Sequence, residues 1–289
     1  MTTTLPGQLV ETEWLAEHLG DADLRVLECT TILRPGDDGR LRAESGRPAY
    51  EAGHVPGSGF ADLPGDLSDR ESELRFMMPP AAQFAEAMSS YGVGQGTRVV
   101  LYDRAGGMWA ARIWWMLRAF GFDEAAVLDG GLSKWAAEGR ATSETVSAYP
   151  HGEFVARPRE GLIADRGEVL AAIEDGGTCV LNALTAEQHR GEGAARYGRA
   201  GRITGSVNVP ANSLIDPETK AYLPLEELRA RFASAGADTA ERVIAYCGGG
   251  IAASSDAFVL TLLGYQNVAI YDASLSEWAA DESLPMEVG

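Results

Sequence analysis

Basic residues, histidine and cysteine are all scarce in this chain, and each shortage removes a class of function. Twenty-four lysines and arginines stand against 42 aspartates and glutamates, a formal net charge of -18 over 289 residues. Nucleic acid and anionic membrane surfaces are bound through clustered positive charge, so neither is an expected partner. Solubility is the plain reading of the excess acid. The chain has four histidines and three cysteines, Cys29, Cys179 and Cys247, with no C-x-x-C pair and no metal-ligand spacing. No metal or other cofactor is therefore expected. No run of 18 apolar residues offers a membrane-spanning helix. The opening stretch, "MTTTLPGQLV", has neither a basic n-region nor an apolar h-region. The expectation is a cytoplasmic protein with reduced thiols, one of which is a candidate working group.

What the sequence does have is a long repeat. "RVVLYD" at 98–103 reads against "RVIAYC" at 242–247, and "LDGGLSKW" at 128–135 against "YDASLSEW" at 271–278. Upstream, "GHVPGS" at 53–58 answers "GRITGS" at 201–206, and "RVLECTT" answers "CVLNALT". Tyr102 and Tyr246 are 144 positions apart and Trp135 and Trp278 are 143 apart, so the copies differ by one residue between those strands. Such a period is too long for a solenoid and matches a duplicated domain of ordinary size.

Each copy alternates short apolar runs with amphipathic segments. In the second, "EVLAAIEDG", "PLEELRARFASAG" and "SSDAFVLTLLGY" read as helices, and "TCVLNA", "RVIAYC" and "NVAIYD" as strands. Gly264 stands where a glycine should end a helix. The pattern predicts two tandem α/β domains, each a mainly parallel sheet with helices on both faces. The expected boundaries are 1–140 and 160–289. The polar stretch 141–159 between them, which lacks helical or strand period, is the expected linker. Two packed domains suffice as a monomer.

"YCGGGIAAS" carries the candidate chemistry. In an open parallel sheet, reactive groups sit where strands end and loops lead into helices, and Cys247 is at such an end. Gly248, Gly249 and Gly250 can curl so that successive N–H groups form an anion-binding nest. The positive end of the following helix favours the thiolate. Two readings of Cys247 are open, a small buried residue beside a turn or a reactive thiol open to solvent, and the glycine cradle favours the second. Cys29 and Cys179 lie at or within predicted strands without a cradle and read as core.

The duplication and the quoted motifs resemble the tandem-domain rhodanese-type sulfurtransferases, over roughly residues 5 to 285. The resemblance implies two rhodanese-like domains with the catalytic cysteine in the C-terminal one, first in the six-residue loop "CGGGIA". Cys247 would take sulfur from a small-molecule donor as a persulfide and pass it to a thiol, a thioredoxin-like protein or cyanide. Gly248, Gly249, Gly250, Ile251 and Ala252 would hold the donor and the outer sulfur. The first copy has Asp103 at the matching position. A carboxylate is no sulfur nucleophile and is not expected in an anion cradle, so that copy should be inactive.

Departures from the family pattern bear on the donor. Thiosulfate-type members carry Cys-Arg-Lys-Gly, but positions 248 and 249 here are glycine. The mercaptopyruvate-type Cys-Gly-Ser-Gly-Val-Thr is nearer, with its serine replaced by Gly249 and its threonine by Ala252. A 3-mercaptopyruvate-like thiocarboxylate is therefore favoured over thiosulfate. The family's Asp-x-Arg at the first strand end is Asn182, Ala183, Leu184. Arg190, Arg196, Arg199 and Arg202 follow in "HRGEGAARYGRAGR". Arg196 is nearest by spacing to the family's carboxylate-binding arginine, with Arg190 and Arg199 next. His54 reads as a structural turn residue, and Asp272 as a tie for the loop N–H groups. Trp109, Trp114 and Trp115 read as buried. A decayed, non-catalytic binding or scaffold module is the alternative. A phosphatase or arsenate reductase of the Cys-x5-Arg type is a weaker third reading, since position 253 is Ala253 and no arginine is near.

Overall fold

Each copy of the repeat gathers its short apolar runs into one parallel five-stranded sheet. The structure is a computed structural model and describes residues 4–36, 41–193 and 195–289. The first sheet comprises β1 (Leu9–Val10), β2 (Leu24–Glu28), β3 (Gly59–Phe60), β4 (Arg98–Tyr102) and β5 (Ala125–Leu128), in the order β1-β5-β4-β2-β3. The second comprises β6 (Ile163–Ala164), β7 (Thr178–Asn182), β8 (Val207–Asn208), β9 (Arg242–Tyr246) and β10 (Val268–Tyr271). Its order, β6-β10-β9-β7-β8, is the same five-step path. All pairings within both sheets are parallel, as near-continuous apolar strands between helices require.

Two compact units result. The first takes Met1–Glu71, Met78–Arg159 and Asp216–Tyr222, and the second takes Ser72–Met77, Glu160–Ile215 and Leu223–Gly289. Residues 141–159, read as a linker, belong with the first unit. The Tyr149 hydroxyl accepts from the Val26 N–H and donates to the Gly57 carbonyl. Phe154 packs edge-on against Phe84, and Arg159 makes a two-pronged ion pair with Asp123 at 2.7 and 2.6 Å. A stretch without periodicity is thus fixed by individual side chains.

The repeated motifs have a common physical cause. Tyr102 and Tyr246 are fully buried, and a buried phenol needs partners. The Tyr102 hydroxyl meets Ser58 Oγ at 2.9 Å and accepts from the Val55 N–H, while Tyr246 meets Ser206 Oγ at 2.7 Å and accepts from the Ile203 N–H. "GHVPGS" and "GRITGS" are thus the two seats for the two tyrosines.

In each unit the middle strand feeds a helix that is buried almost all round: α1 (Met108–Ala119) after β4 and, in the second unit, α3 (Ile251–Leu262) after β9. A shorter helix follows the next strand, α2 (Gly131–Ala137) and α4 (Ser274–Trp278) respectively. The α3 helix begins at Ile251, inside the stretch read as a loop, and ends at Gly264 with φ 92°. In the second unit the core includes Val180, Ile244, Tyr246, Tyr271 and Trp278, with Leu74, Met77, Leu184 and Tyr197 packed on it.

Candidate active site

Cys247 follows β9, the middle strand, whose neighbours are β7 and β10. The chain then turns through Gly248 and Gly249 to Gly250, the N-cap of α3, where φ is 77°. Only glycine takes that left-handed geometry without strain. Ile251 and Ala252 are the first two residues of the helix, so their N–H groups have no acceptor one turn back. The N–H groups of Gly248, Gly249, Ile251, Ala252 and Ala253 have no hydrogen-bond partner among the described residues. They form a nest at the positive end of a 12-residue helix.

The loop is braced from α4. The Leu275 N–H donates to the Cys247 carbonyl at 3.1 Å, and both the N–H and the Oγ of Ser276 donate to the Gly248 carbonyl. Ser274 Oγ accepts from the N–H groups of Cys247 and Gly250 and donates to the Tyr271 carbonyl. Ser274 is buried with φ 52°, the value of its counterpart Gly131 in the first unit. Asp272, the expected tie for the loop, is buried after β10, and Ser274 is a second side chain seated under the loop. "DAS" against "DGG" was the available signal: a serine replacing a glycine at a left-handed position needs a reason.

Cys247 is 2% exposed, which corrects the expectation of a sulfur open to solvent. The cover over this loop is long-range. The ring of Tyr197 lies on Gly248, where any Cβ would collide with the ring carbons and hydroxyl. The phenol's pKa is raised, first by burial and then by the charge of Cys247, with Arg75 and Arg196 acting in the opposite sense. Arg75 belongs to the returning segment Ser72–Met77, and its carbonyl oxygen lies over Gly249. Nothing in the spacing of the sequence marked Arg75 or Tyr197.

A small cleft of about 20 Å³ has Leu184, Gln188, Arg196, Tyr197, Arg199 and Leu275 in its lining. The loop residues 247–252 do not line it, and Leu275 and Tyr197 connect it to them. The four candidate arginines separate by their partners. Arg190 is in a two-pronged pair with Glu192 at 2.8 and 2.9 Å and does not line the cleft, contrary to its reading as a donor-binding residue. The sequence hides this because the acid stands only two residues on. Arg199 donates to the carbonyls of Trp278, Ala279, Asp281 and Leu284, which clamps that turn. Arg202 pairs with Glu287. Arg196 lines the cleft and makes no side-chain hydrogen bond or ion pair among the described residues. Asn182 is buried and its Oδ1 accepts from the Leu184 N–H.

The first unit shows the same loop filled. Asp103 follows β4 as Cys247 follows β9. Its Oδ1 accepts from the N–H groups of Ala105 and Gly107, and its Oδ2 from those of Trp109 and Ala110, at 2.7 to 3.1 Å. This corrects the expectation that a carboxylate is unwelcome in the cradle. The carboxylate is the anion that the cradle holds. Gly107 and Gly250 are the left-handed N-caps of their helices, so Gly107, Trp109 and Ala110 correspond to Gly250, Ala252 and Ala253. Ala105, two residues after Asp103, corresponds to Gly249, two after Cys247.

The remaining candidates are structural. Cys29 is buried and donates to the Leu27 carbonyl, and its thiol pKa is pushed well up by burial, then by Asp103 and Glu28. Burial pushes Cys179 up to about 11. His54 is stacked on Tyr50 at 4.0 Å with its ring nitrogens at the Tyr50 and Thr145 carbonyls. Trp109, Trp114 and Trp115 are buried. Among the described residues no group of three or more His, Cys, Asp or Glu side chains is placed to hold a metal ion, and no helix is long and apolar enough to cross a membrane.

Comparison with known proteins supplies the relatives. The profile of the rhodanese-like domain matches residues 11–138 and again 166–281. The 3-mercaptopyruvate sulfurtransferase of Escherichia coli K12 is 34% identical over 281 residues, covering 96% of this chain and 97% of that protein. The thiosulfate sulfurtransferase of Rattus norvegicus is 32% identical over 279 residues, covering 93% and 91%. The crystal structure of the 3-mercaptopyruvate sulfotransferase SseA from Escherichia coli superposes with a TM-score of 0.82 at 30% identity, covering 94% of this chain and 99% of that one.

Proposed function

The chain belongs to the family of rhodanese-like domain proteins, and from that premise we propose that it is a sulfurtransferase working through a persulfide on Cys247. The donor is a small thiocarboxylate of the 3-mercaptopyruvate kind. The Cys247 thiolate attacks the donor sulfur, an S–S bond forms, and the C–S bond breaks with its electron pair passing to the methylene carbon. Protonation of that carbon gives pyruvate and leaves Cys-S-S⁻. An acceptor thiol or cyanide then attacks the outer sulfur and releases the Cys247 thiolate, a two-stage covalent cycle.

The observation that carries this reading is the contrast between the two loops. The carboxylate oxygens of Asp103 are two bonds from Cβ, as is the outer sulfur of a cysteine persulfide. In the first unit that position is occupied and the four N–H groups are bonded. In the second, the N–H groups of Gly249, Ala252 and Ala253 have no partner among the described residues, and Sγ alone does not reach them. The outer sulfur of a persulfide, about 2 Å beyond Sγ, would stand where the Asp103 carboxylate oxygens stand in the first unit, facing the corresponding donors.

Donor preference follows from where cations are. The loop has none, and Tyr197 leaves no room for a side chain at 248. Arg196 lines the cleft with no hydrogen bond or ion pair to its guanidinium among the described residues, a fork suited to a carboxylate. A doubly charged donor that needs two loop cations is served poorly. The acceptor class is a thiol, free or on a thioredoxin-like protein, or cyanide.

The test is intact-mass measurement of reduced protein after incubation with 3-mercaptopyruvate. A gain of one sulfur atom, released by added thiol and absent in Cys247→Ser, is the expected result. One observation favours a second reading, a binding module that has kept the fold: Cys247 is 2% exposed. No sulfur uptake from any donor, together with a native Cys247 inert to iodoacetamide, would establish the module instead.

A further inference from the structure

We propose that Tyr197 is a catalytic residue of this site, the hydroxyl that donates a proton to the pyruvate enolate leaving the donor; this rests on the reading of Cys247 as the sulfur acceptor. Breaking the C–S bond puts an electron pair on a carbon next to a ketone, so the leaving group is an enolate. The step is slow unless that charge meets a proton as it develops.

The loop itself has no proton to give. Gly248, Gly249, Gly250, Ile251 and Ala252 bear no polar side chain. Three serine hydroxyls bond to the loop, and each proton is committed. Ser254 donates to the Gly250 carbonyl at 2.7 Å, Ser274 to the Tyr271 carbonyl at 2.7 Å, and Ser276 to the Gly248 carbonyl at 2.6 Å. The Tyr197 hydroxyl is different, making no hydrogen bond among the described residues. Its ring lies on Gly248, the neighbour of the cysteine, and lines the cleft beside Arg196. A donor whose carboxylate met Arg196 and whose sulfur met Cys247 would pass this phenol, because its hydroxyl lies against Gly248 while its ring lines the cleft with Arg196. Burial and the Cys247 charge raise the phenol pKa above its ordinary value, which keeps the proton in place at neutral pH.

The step balances. The thiolate forms the S–S bond, the C–S electron pair becomes the enolate, and Tyr197 protonates the enolate oxygen. The tyrosinate then recovers its proton from the outer S–H, leaving Cys-S-S⁻. The enol becomes pyruvate by taking a proton on carbon and releasing one from oxygen.

Tyr197→Phe keeps the ring on Gly248 and removes only the hydroxyl. Sulfur loading of Cys247 is timed by intact mass with two donors in the wild type and the variant. One donor is 3-mercaptopyruvate. The other is glutathione persulfide, whose thiolate leaving group needs no proton. The expected result is loading from 3-mercaptopyruvate slowed on the order of 10²-fold, with loading from glutathione persulfide within about twofold of wild type. Equal loss with both donors would show a packing role and overturn the proposal, as would unchanged rates with both. If the wild type takes sulfur from neither donor, the sulfurtransferase reading itself fails, an outcome distinct from the other two.

Discussion

The Oγ of Ser274 lies 3.0 Å from the backbone nitrogen of Cys247 and 3.3 Å from that of Gly250, and its own proton goes to the Tyr271 carbonyl. One buried hydroxyl therefore joins β10, the end of β9 and the start of α3. Holding it there requires a serine at φ 52°, where the first unit has glycine. Backbone strain of this kind costs about 1–3 kcal/mol and persists where the surroundings over-determine it. Ser274→Ala keeps the strain and strips two N–H groups of their acceptor, and is expected to lower stability by about 2 kcal/mol or more in urea unfolding. Ser274→Gly relieves the strain and should lose less.

Gly248 and Tyr197 should behave as one unit. A methyl at 248 has no space while the ring is there, so Gly248→Ala is expected to cost about 1–3 kcal/mol. In Tyr197→Ala the obstacle is gone, and the same glycine substitution should cost much less. A double-mutant cycle by chemical denaturation measures the coupling, and additivity within about 0.5 kcal/mol would contradict the contact.

Asp103→Ala leaves four N–H groups without their acceptor, of which those of Gly107, Trp109 and Ala110 are buried and that of Ala105 is half-buried. The expected loss is about 3 kcal/mol or more, read from the denaturation midpoint at unchanged slope. Asp103→Asn retains one acceptor oxygen but turns an NH2 toward two donors, and should fall between wild type and alanine.

Asp256, in α3, is fully buried, and neither carboxyl oxygen has a hydrogen-bond partner among the described residues. Desolvation raises its pKa well above the ordinary 3.8. The folded chain therefore keeps a proton that the unfolded chain releases above about pH 4. Stability from this group is fully present below that pH and is lost as pH rises, by up to about 1.4 kcal/mol per unit until the folded carboxyl ionises. Asp256→Asn removes the dependence. The variant should gain on wild type as pH rises above about 4 until the folded carboxyl ionises, and parallel stability curves would refute the argument.

Arg196→Ala is expected to raise KM for 3-mercaptopyruvate about tenfold or more while leaving loading from glutathione persulfide near wild type. Arg190, already paired with Glu192, should change neither by more than about twofold when replaced by alanine. Steady-state kinetics with both donors distinguishes the two arginines.

Local pattern made much of this legible. The repeat fixed by Tyr102 and Tyr246, the parallel strands and the cradle after Cys247 all follow from residues close together in the chain. The rest depends on contacts between distant positions. Tyr197 and Arg75 reach the loop from segments whose spacing carries no sign of it, and their cover is why Cys247 is buried although the glycine cradle favoured an open thiol. Arg190 and Arg196 look alike as letters and differ only in that one has an acid within reach. Ser274 was visible as an oddity, since no composition argument explains a serine where its repeat partner is glycine. Asp103 was misjudged because a nest for anions was read as repelling the carboxylate that fills it.

The tethering of that carboxylate has a consequence for how the two halves meet their surroundings. A counter-ion that is part of the chain cannot be diluted, dialysed or outcompeted, since its local concentration exceeds that of any solute. Sulfite, phosphate or chloride in the medium meet a first loop already full. The second loop has no built-in acid, so under the proposed role an added small anion competes at that loop and leaves the first one as it is.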